Sequence, residues 1–205
     1  MSFNPNQLLN TPMSMLNPLV ANKPKDPDTN KAPVPPPPFD PEIYIDAFGR
    51  LGMLSIENVA DLGCGAGNFV SVMTSRNQRP EVYVGVDSNH QQISTAKAAY
   101  PGWKFIYGDF NNDRVKAEYE RYGAYLMLHV LDTIDDDLAF LATLPEGKPV
   151  VFSLPKFEKE GSKLWLAEGR DIHDRYSSIL SIKSIGRYRS KATGEAYSMV
   201  VATRW

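Results

Sequence analysis

Apolar and polar positions along the chain fall into an alternation of short β-rich runs and amphipathic stretches. Asn58-Val59-Ala60-Asp61-Leu62 reads as a strand, and Asn68 to Ser75 after it as a helix. The order then repeats: a strand over Val82–Asp87, a helix from about Asn89 to Ala99, a strand from Lys104 towards Asp109, and a helix from about Asn112 to Arg121. Ala124–Leu128 and Pro149–Ser153 are further strands, and Ser162 to about Ser177 is helix-prone. Ile179–Ser190 and Ala196–Trp205 pair as a hairpin through a turn at Ala192-Thr193-Gly194-Glu195. Ahead of all these, Asp40 suits an N-cap, Pro41 the first helical position and Glu42 the positive end of the dipole. A helix to about Leu51 follows, with Ile43, Ala47 and Leu51 on one face. Strands alternating with helices predict an α/β fold with a parallel sheet and helices on both faces. A ligand then sits beyond the strand C-termini.

Between the first strand and its helix lies Asp61-Leu62-Gly63-Cys64-Gly65-Ala66-Gly67. Glycines at alternate positions let a backbone turn with positive φ and let a ligand approach where a Cβ would collide, as nucleotide-cofactor loops require. A dinucleotide loop reads G-x-G-x-x-G; here the third glycine comes one residue early, which argues against an NAD-dependent oxidoreductase. The second strand closes on Asp87, about 20 residues past the glycines, where a carboxylate can accept from both hydroxyls of a ribose. The third strand runs into Asp109. Either acid alone could be a helix cap.

Asp61-x-Gly63-x-Gly65-x-Gly67, Val86-Asp87-Ser88 and Gly108-Asp109-Phe110 together resemble the class I S-adenosylmethionine-dependent methyltransferases, over about Phe39 to Trp205. The resemblance implies a Rossmann-like, seven-stranded, mostly parallel sheet whose last strand is reversed in a terminal hairpin. It implies S-adenosylmethionine as cofactor, with Asp61, Gly63, Gly65 and Gly67 around its methionine part. Asp87 and Ser88 then serve its ribose and Asp109 and Phe110 its adenine, with Leu128 beside it at the fourth strand. His129-Val130-Leu131-Asp132-Thr133-Ile134-Asp135-Asp136 is similar to the segment after strand four of small-molecule enzymes of the trans-aconitate and ubiquinone-pathway type. Gly123 and Thr133 depart from that pattern, where an acid and a histidine are usual. The Asn/Asp-Pro-Pro-aromatic tetrad that methylates bases is absent from the fourth strand.

The expected reaction is transfer of a methyl group to an oxygen or nitrogen of a small-molecule acceptor. His129 is the candidate catalytic residue, since an imidazole at that strand end can take the acceptor's proton; a hydrogen-bonded neighbour without chemistry is the alternative. Methyl transfer asks chiefly for alignment and exclusion of water, so a base is not obligatory. Three scattered histidines without paired cysteines or acids offer no metal site. Cys64, the only cysteine, reads as small filler in the glycine loop. Tyr44 and Phe48, on the first helix, could close the pocket or simply fill the core.

Composition narrows the setting. The 205 residues are 42% apolar and carry a formal charge of −2, which suits one domain with an extension and argues against nucleic acid as partner. With no apolar run near the roughly 18 residues of a membrane span and no signal-peptide pattern, a cytoplasmic protein without a membrane role is expected. Lys183, Arg187, Arg189 and Lys191 share one strand parity, so a basic rim on the hairpin would favour an anionic acceptor.

Residues 1–38 differ in kind from 39–205. Ten of the sixteen prolines lie there, ending in Pro35-Pro36-Pro37-Pro38, so an extended arm is expected rather than a helix or ladder. Its apolar residues suit docking on another protein. A catalytically silent subunit that docks through the arm, in a viral or other large assembly, is therefore the rival to an enzyme, while a solvating or folded-back tail is the bland alternative. If Leu8, Leu9, Met13, Met15 and Leu16 dock on another chain, deleting residues 1–30 abolishes assembly measured by light scattering; an unchanged mass would end that idea.

Overall fold

A computed structural model describes residues 41–205 apart from 79, 159, 160, 167, 192 and 193. The expected arm over 1–38 and the cap at Asp40 lie outside the described residues, as do Ala192 and Thr193 of the hairpin turn. The chain runs α1 (Pro41–Met53), β1 (Asn58–Leu62), α2 (Asn68–Ser75), β2 (Val82–Asp87), α3 (His90–Ala99), β3 (Lys104–Tyr107), α4 (Asp113–Tyr119) and β4 (Ala124–Met127). It continues through α5 (Asp137–Ala142), β5 (Pro149–Pro155), α6 (Gly169–Tyr176), β6 (Leu180–Arg189) and β7 (Ala196–Arg204).

The strands form one seven-stranded sheet in the order β3-β2-β1-β4-β5-β7-β6. β1 to β5 pair in parallel, and β7 runs antiparallel between β5 and β6. Alternating side chains feed two cores. Tyr125 and Met127 of β4 join Leu62, Phe140, Phe152 and Tyr176 on one face, whereas Ala124 and Leu126 join Ile43, Ala47, Leu51, Phe69 and Val151 on the other. Cover on both faces is why the central strands read as nearly unbroken apolar runs. The pattern-based expectation for α1, with Ile43, Ala47 and Leu51 buried, holds.

Two differences from expectation bear on the site. The helix expected from Ser162 begins only at Gly169, because Ser162–Leu166 is strapped to other elements. Lys163 N donates to Asp132 O at 2.6 Å, Leu166 N to Pro155 O at 3.1 Å, and Ser162 Oγ to Asp132 Oδ2 at 2.7 Å. The hairpin's basic residues do not share one face. A bulge between Ile182 and Ser184 offsets Lys183, Arg187 pairs with Glu168 before α6, and Lys191 reaches Glu42 on α1.

α5, which periodicity did not announce, is capped by Asp136, whose side chain accepts from Ala139 N. Its first residue, Asp137, is 2% exposed and is held by Arg175 Nη2 at 2.5 Å and the Tyr176 hydroxyl at 2.5 Å, so α6 pins α5 and with it the turn after β4. Arg175→Ala leaves a buried carboxylate short of its countercharge. We expect a loss of about 3 kcal/mol in urea unfolding, or roughly 10 °C in melting temperature. A loss near zero would show that the pair does not hold α5.

Candidate active site

β1 delivers the glycine loop to the C-terminal edge of the sheet. Gly63 N and Cys64 N both donate to Val86 O, at 2.7 and 3.1 Å, folding the loop over the end of β2. Gly63, Gly65 and Gly67 all adopt positive φ, at 79°, 55° and 85°. Their surroundings differ. A Cβ on Gly63 would stand 2.3 Å from Val130 Cγ2, and one on Gly67 would stand 3.0 Å from the Tyr100 ring. At Gly65 the nearest atom would be Gln92 Oε1 at 3.9 Å. Two of the glycines are thus needed for packing within the protein, whereas a Cβ on Gly65 would meet only ordinary van der Waals contact.

The loop is tied to the second acid. Asp87 Oδ2 accepts from Gly65 N at 2.9 Å and Oδ1 from Asn89 N at 2.7 Å, while Asn89 itself caps α3. Gly108 N donates to Asp87 O at 3.0 Å, which brings the end of β3 alongside, and there Asp109 Oδ1 accepts from Asn111 N at 2.8 Å. Ser88 and Asp109 are exposed on this edge. Phe110 turns inward, its ring 4.7 Å from that of Phe140, and Leu128 is buried in the core on the α1 face. Of the sequence-predicted residues, the structure therefore gathers Asp61, the three glycines, Asp87, Ser88, Asp109 and His129 at one edge, with the Phe110 and Leu128 side chains committed to packing. Phe48 packs against Phe69, and Asn68 Nδ2 donates to the Tyr44 hydroxyl at 3.4 Å, placing Tyr44 beside the loop's end.

Asp61 lies beneath the loop, 3% exposed, and accepts from the Tyr83 hydroxyl at 2.9 Å. Burial pushes its carboxyl up to about 7; the Tyr83 bond opposes the rise and the charge of Asp87 adds to it. Cys64 is buried, and its thiol is pushed far above its ordinary value by that burial and the neighbouring acids, so it is packing rather than nucleophile.

His129, two residues beyond β4, lies in the left-handed region, φ 60°, which non-glycine residues rarely adopt. Its N–H donates to Ser153 Oγ at 2.8 Å, and its ring meets Tyr197 edge-on at 4.5 Å. β5 and β7 thereby fix where the imidazole sits. Sequence reasoning did not single out Tyr83, Ser153 or Tyr197. Each is an ordinary strand residue whose importance comes from a partner on another strand.

Comparison with known proteins gives one family: a model of FtsJ-like methyltransferases matches residues 44–155. The Escherichia coli (strain 55989 / EAEC) trans-aconitate 2-methyltransferase is 34% identical over 68 residues, which is 33% of this chain. The match spans only 27% of that relative's length. Among solved structures, the magnesium protoporphyrin IX methyltransferase ChlM of Synechocystis PCC 6803, with bound SAM, superposes with a TM-score of 0.59 at 14% identity, covering 80% of this chain and 79% of that one. The N-methyltransferase NodS of Bradyrhizobium japonicum WM9, in complex with S-adenosyl-l-homocysteine, gives 0.58 at 15% identity, covering 82% and 88%. Likenesses at this identity show a shared fold.

The raised Asp61 carboxyl has a measurable sign. Between its ordinary 3.8 and about 7 the folded chain keeps a proton that the unfolded chain releases. The stability this proton confers is full below the lower value and is lost as pH rises through the upper one. Asp61→Asn keeps an acceptor for Tyr83 and removes the titration, so between about pH 5 and about pH 8 the wild-type melting temperature should fall several degrees relative to the variant. Parallel curves would place the Asp61 titration elsewhere.

Proposed function

The chain belongs to the FtsJ-like methyltransferase family, within the class I S-adenosylmethionine-dependent methyltransferases, and from that premise we propose that it transfers a methyl group from S-adenosylmethionine to an oxygen or nitrogen of a small-molecule acceptor. The observation that carries this reading is the Gly65–Asp87 arrangement at the end of β1 and β2. An open glycine and a clamped carboxylate there form a cradle at the switch point of a doubly wound sheet.

The residues present fit the cofactor. Gly65 leaves room for close approach, and a Cβ there would enter it. Asp87 spends one bond on each oxygen, and a carboxylate has about four acceptor sites, so two remain for a ribose diol. Asp109 stands exposed at the next strand end for an adenine amino group. Asn68 holds a buried Oδ1 with no donor among the described residues, an acceptor suited to an ammonium. When bound, S-adenosylmethionine supplies the electrophilic methyl group. The chain's part is to bind, orient and exclude water: the loop and Asp87 fix the donor's position, and His129, held by Ser153 and Tyr197, is placed to accept the proton the acceptor loses.

A small acceptor accords with a formal charge of −2, too little positive charge for extended phosphate contacts. No helix among the described residues is long and apolar enough to cross a membrane, and we place the activity in the cytoplasm. Residues 1–38 are proposed as a separate protein-docking arm.

Calorimetry with S-adenosylmethionine, S-adenosylhomocysteine and NAD tests the reading: the first two should bind and NAD should not. Asp87→Ala should weaken cofactor binding by about a hundredfold, the loss of two charge-assisted bonds. His129→Ala should spare binding and slow turnover of labelled cofactor, screened over small acceptors, by about a hundredfold. Failure to bind either sulfonium nucleoside or its product sinks the proposal, and unchanged turnover removes His129 from the chemistry.

A further inference from the structure

The chain reverses its pleat at His129. Along β4 the side chains alternate: Tyr125 and Met127 join the core that holds Phe140 and Tyr176, while Ala124 and Leu126, and Leu128 after them, join the core beneath α1. A strand continued at that period would send His129 the way of Met127. It goes the other way. Its ring lies edge-on to that of Tyr197 at 4.5 Å, and Tyr197 belongs with Met199 and Val201 to the core beneath α1. The left-handed backbone at His129, φ 60°, makes the reversal, and Val130 then returns to the opposite core, where it lies over Gly63.

A histidine in this region persists only where its surroundings fix it. The parallel ladder does not reach so far, since the last register pair of β4 with β5 is Met127 with Phe152. Ser153, the next residue of β5, supplies the bond instead: its Oγ accepts from His129 N at 2.8 Å. Strand parity aims it there. Ser153 stands opposite Met199 in the β5–β7 ladder and alternates with Phe152 and Leu154, so its side chain points to the α1 side of the sheet. It is fully buried, one of few polar side chains in the core. A buried hydroxyl is unfavourable unless it is hydrogen-bonded, and an apolar residue here would offer the His129 amide no acceptor.

From this geometry we infer that Ser153 is a positioning residue for methyl transfer. By holding the His129 amide in the left-handed turn, its hydroxyl decides that the imidazole faces the α1 side of the sheet edge. Tyr44 packs on that side and accepts from Asn68 at the end of the glycine loop, so the turn brings the base to the flank where the loop ends. Ser153 is buried and acts through His129 rather than on the reactants. The inference rests on the methyl-transfer reading above, with His129 as the group that takes the acceptor's proton.

Two measurements on the full chain saturated with S-adenosylhomocysteine need no acceptor. In the wild type, the His129 amide should exchange its hydrogen slowly although it lies beyond the ladder, and Ser153→Ala should speed that exchange about a hundredfold while the amides of Tyr125 and Leu126 keep theirs. NMR contacts between the His129 and Tyr197 rings should be present in the wild type and lost in the variant. With an acceptor found by the small-molecule screen, Ser153→Ala should lower kcat about tenfold and leave KM for S-adenosylmethionine within about twofold. The same change made in His129→Ala should slow turnover no further. Ring contacts and exchange that survive Ser153→Ala, a wild-type kcat, or a further tenfold loss in the His129→Ala background overturns the inference. Should Ser153→Ala fail to fold, rapid exchange at His129 in the wild type overturns it equally. If no acceptor is methylated, the methyl-transfer reading falls, and exchange and ring contacts still decide whether Ser153 holds His129.

Discussion

The bond from Gly65 N–H to the Asp87 carboxylate joins a loop leaving one strand to the end of the next, and the rest of the edge is arranged around it. A charge-assisted bond of this kind contributes about 1.5–3 kcal/mol. The larger effect is geometric. With its other oxygen held by Asn89, whose own side chain caps α3, Asp87 couples the loop, the sheet and a helix start into one unit. A unit tied in this way is held in one arrangement by the protein's own bonds, as preorganisation requires.

That unit exists because of how the sheet is wound. From β1 the chain moves outward through β2 to β3, then returns to the other side of β1 for β4 and β5. Loops after β1 and β4 therefore leave towards opposite faces of the sheet, which sets the switch point at these strand ends. Helices on both faces bury the central strands, so few polar side chains lie within them. Asp61 is one of these, a carboxylate beneath the loop whose burial raises its affinity for a proton.

Much of this was legible in the chain because the informative residues are close in sequence. Gly63, Gly65 and Gly67 punctuate the end of an apolar run, and the acids close β-rich stretches, so the alternation of strands and helices, the buried face of α1 and the gathering of Asp87 and Asp109 could be read locally. What could not be read depends on residues far apart. Ser162 to Leu166 has helical composition, yet its backbone is claimed by Asp132 and Pro155, and no pattern within the segment records that. The inward turn of Phe110 depends on Phe140, and the scattering of the hairpin's bases on a one-residue bulge and on Glu168 and Glu42. The roles of the glycines also separated only in three dimensions, where two proved to be spacers for Val130 and Tyr100.

The Gly63–Val130 contact has an implication for how such a protein can change. Val130 follows His129 directly, and its methyl group occupies the volume a side chain at Gly63 would need, so the two loops interlock like a tenon and its slot. A graft of either loop from a relative would have to bring its counterpart along. Phe157 and Glu158 follow β5, outside that joint, which leaves the far end of the edge free to diversify while the interlocked end stays fixed.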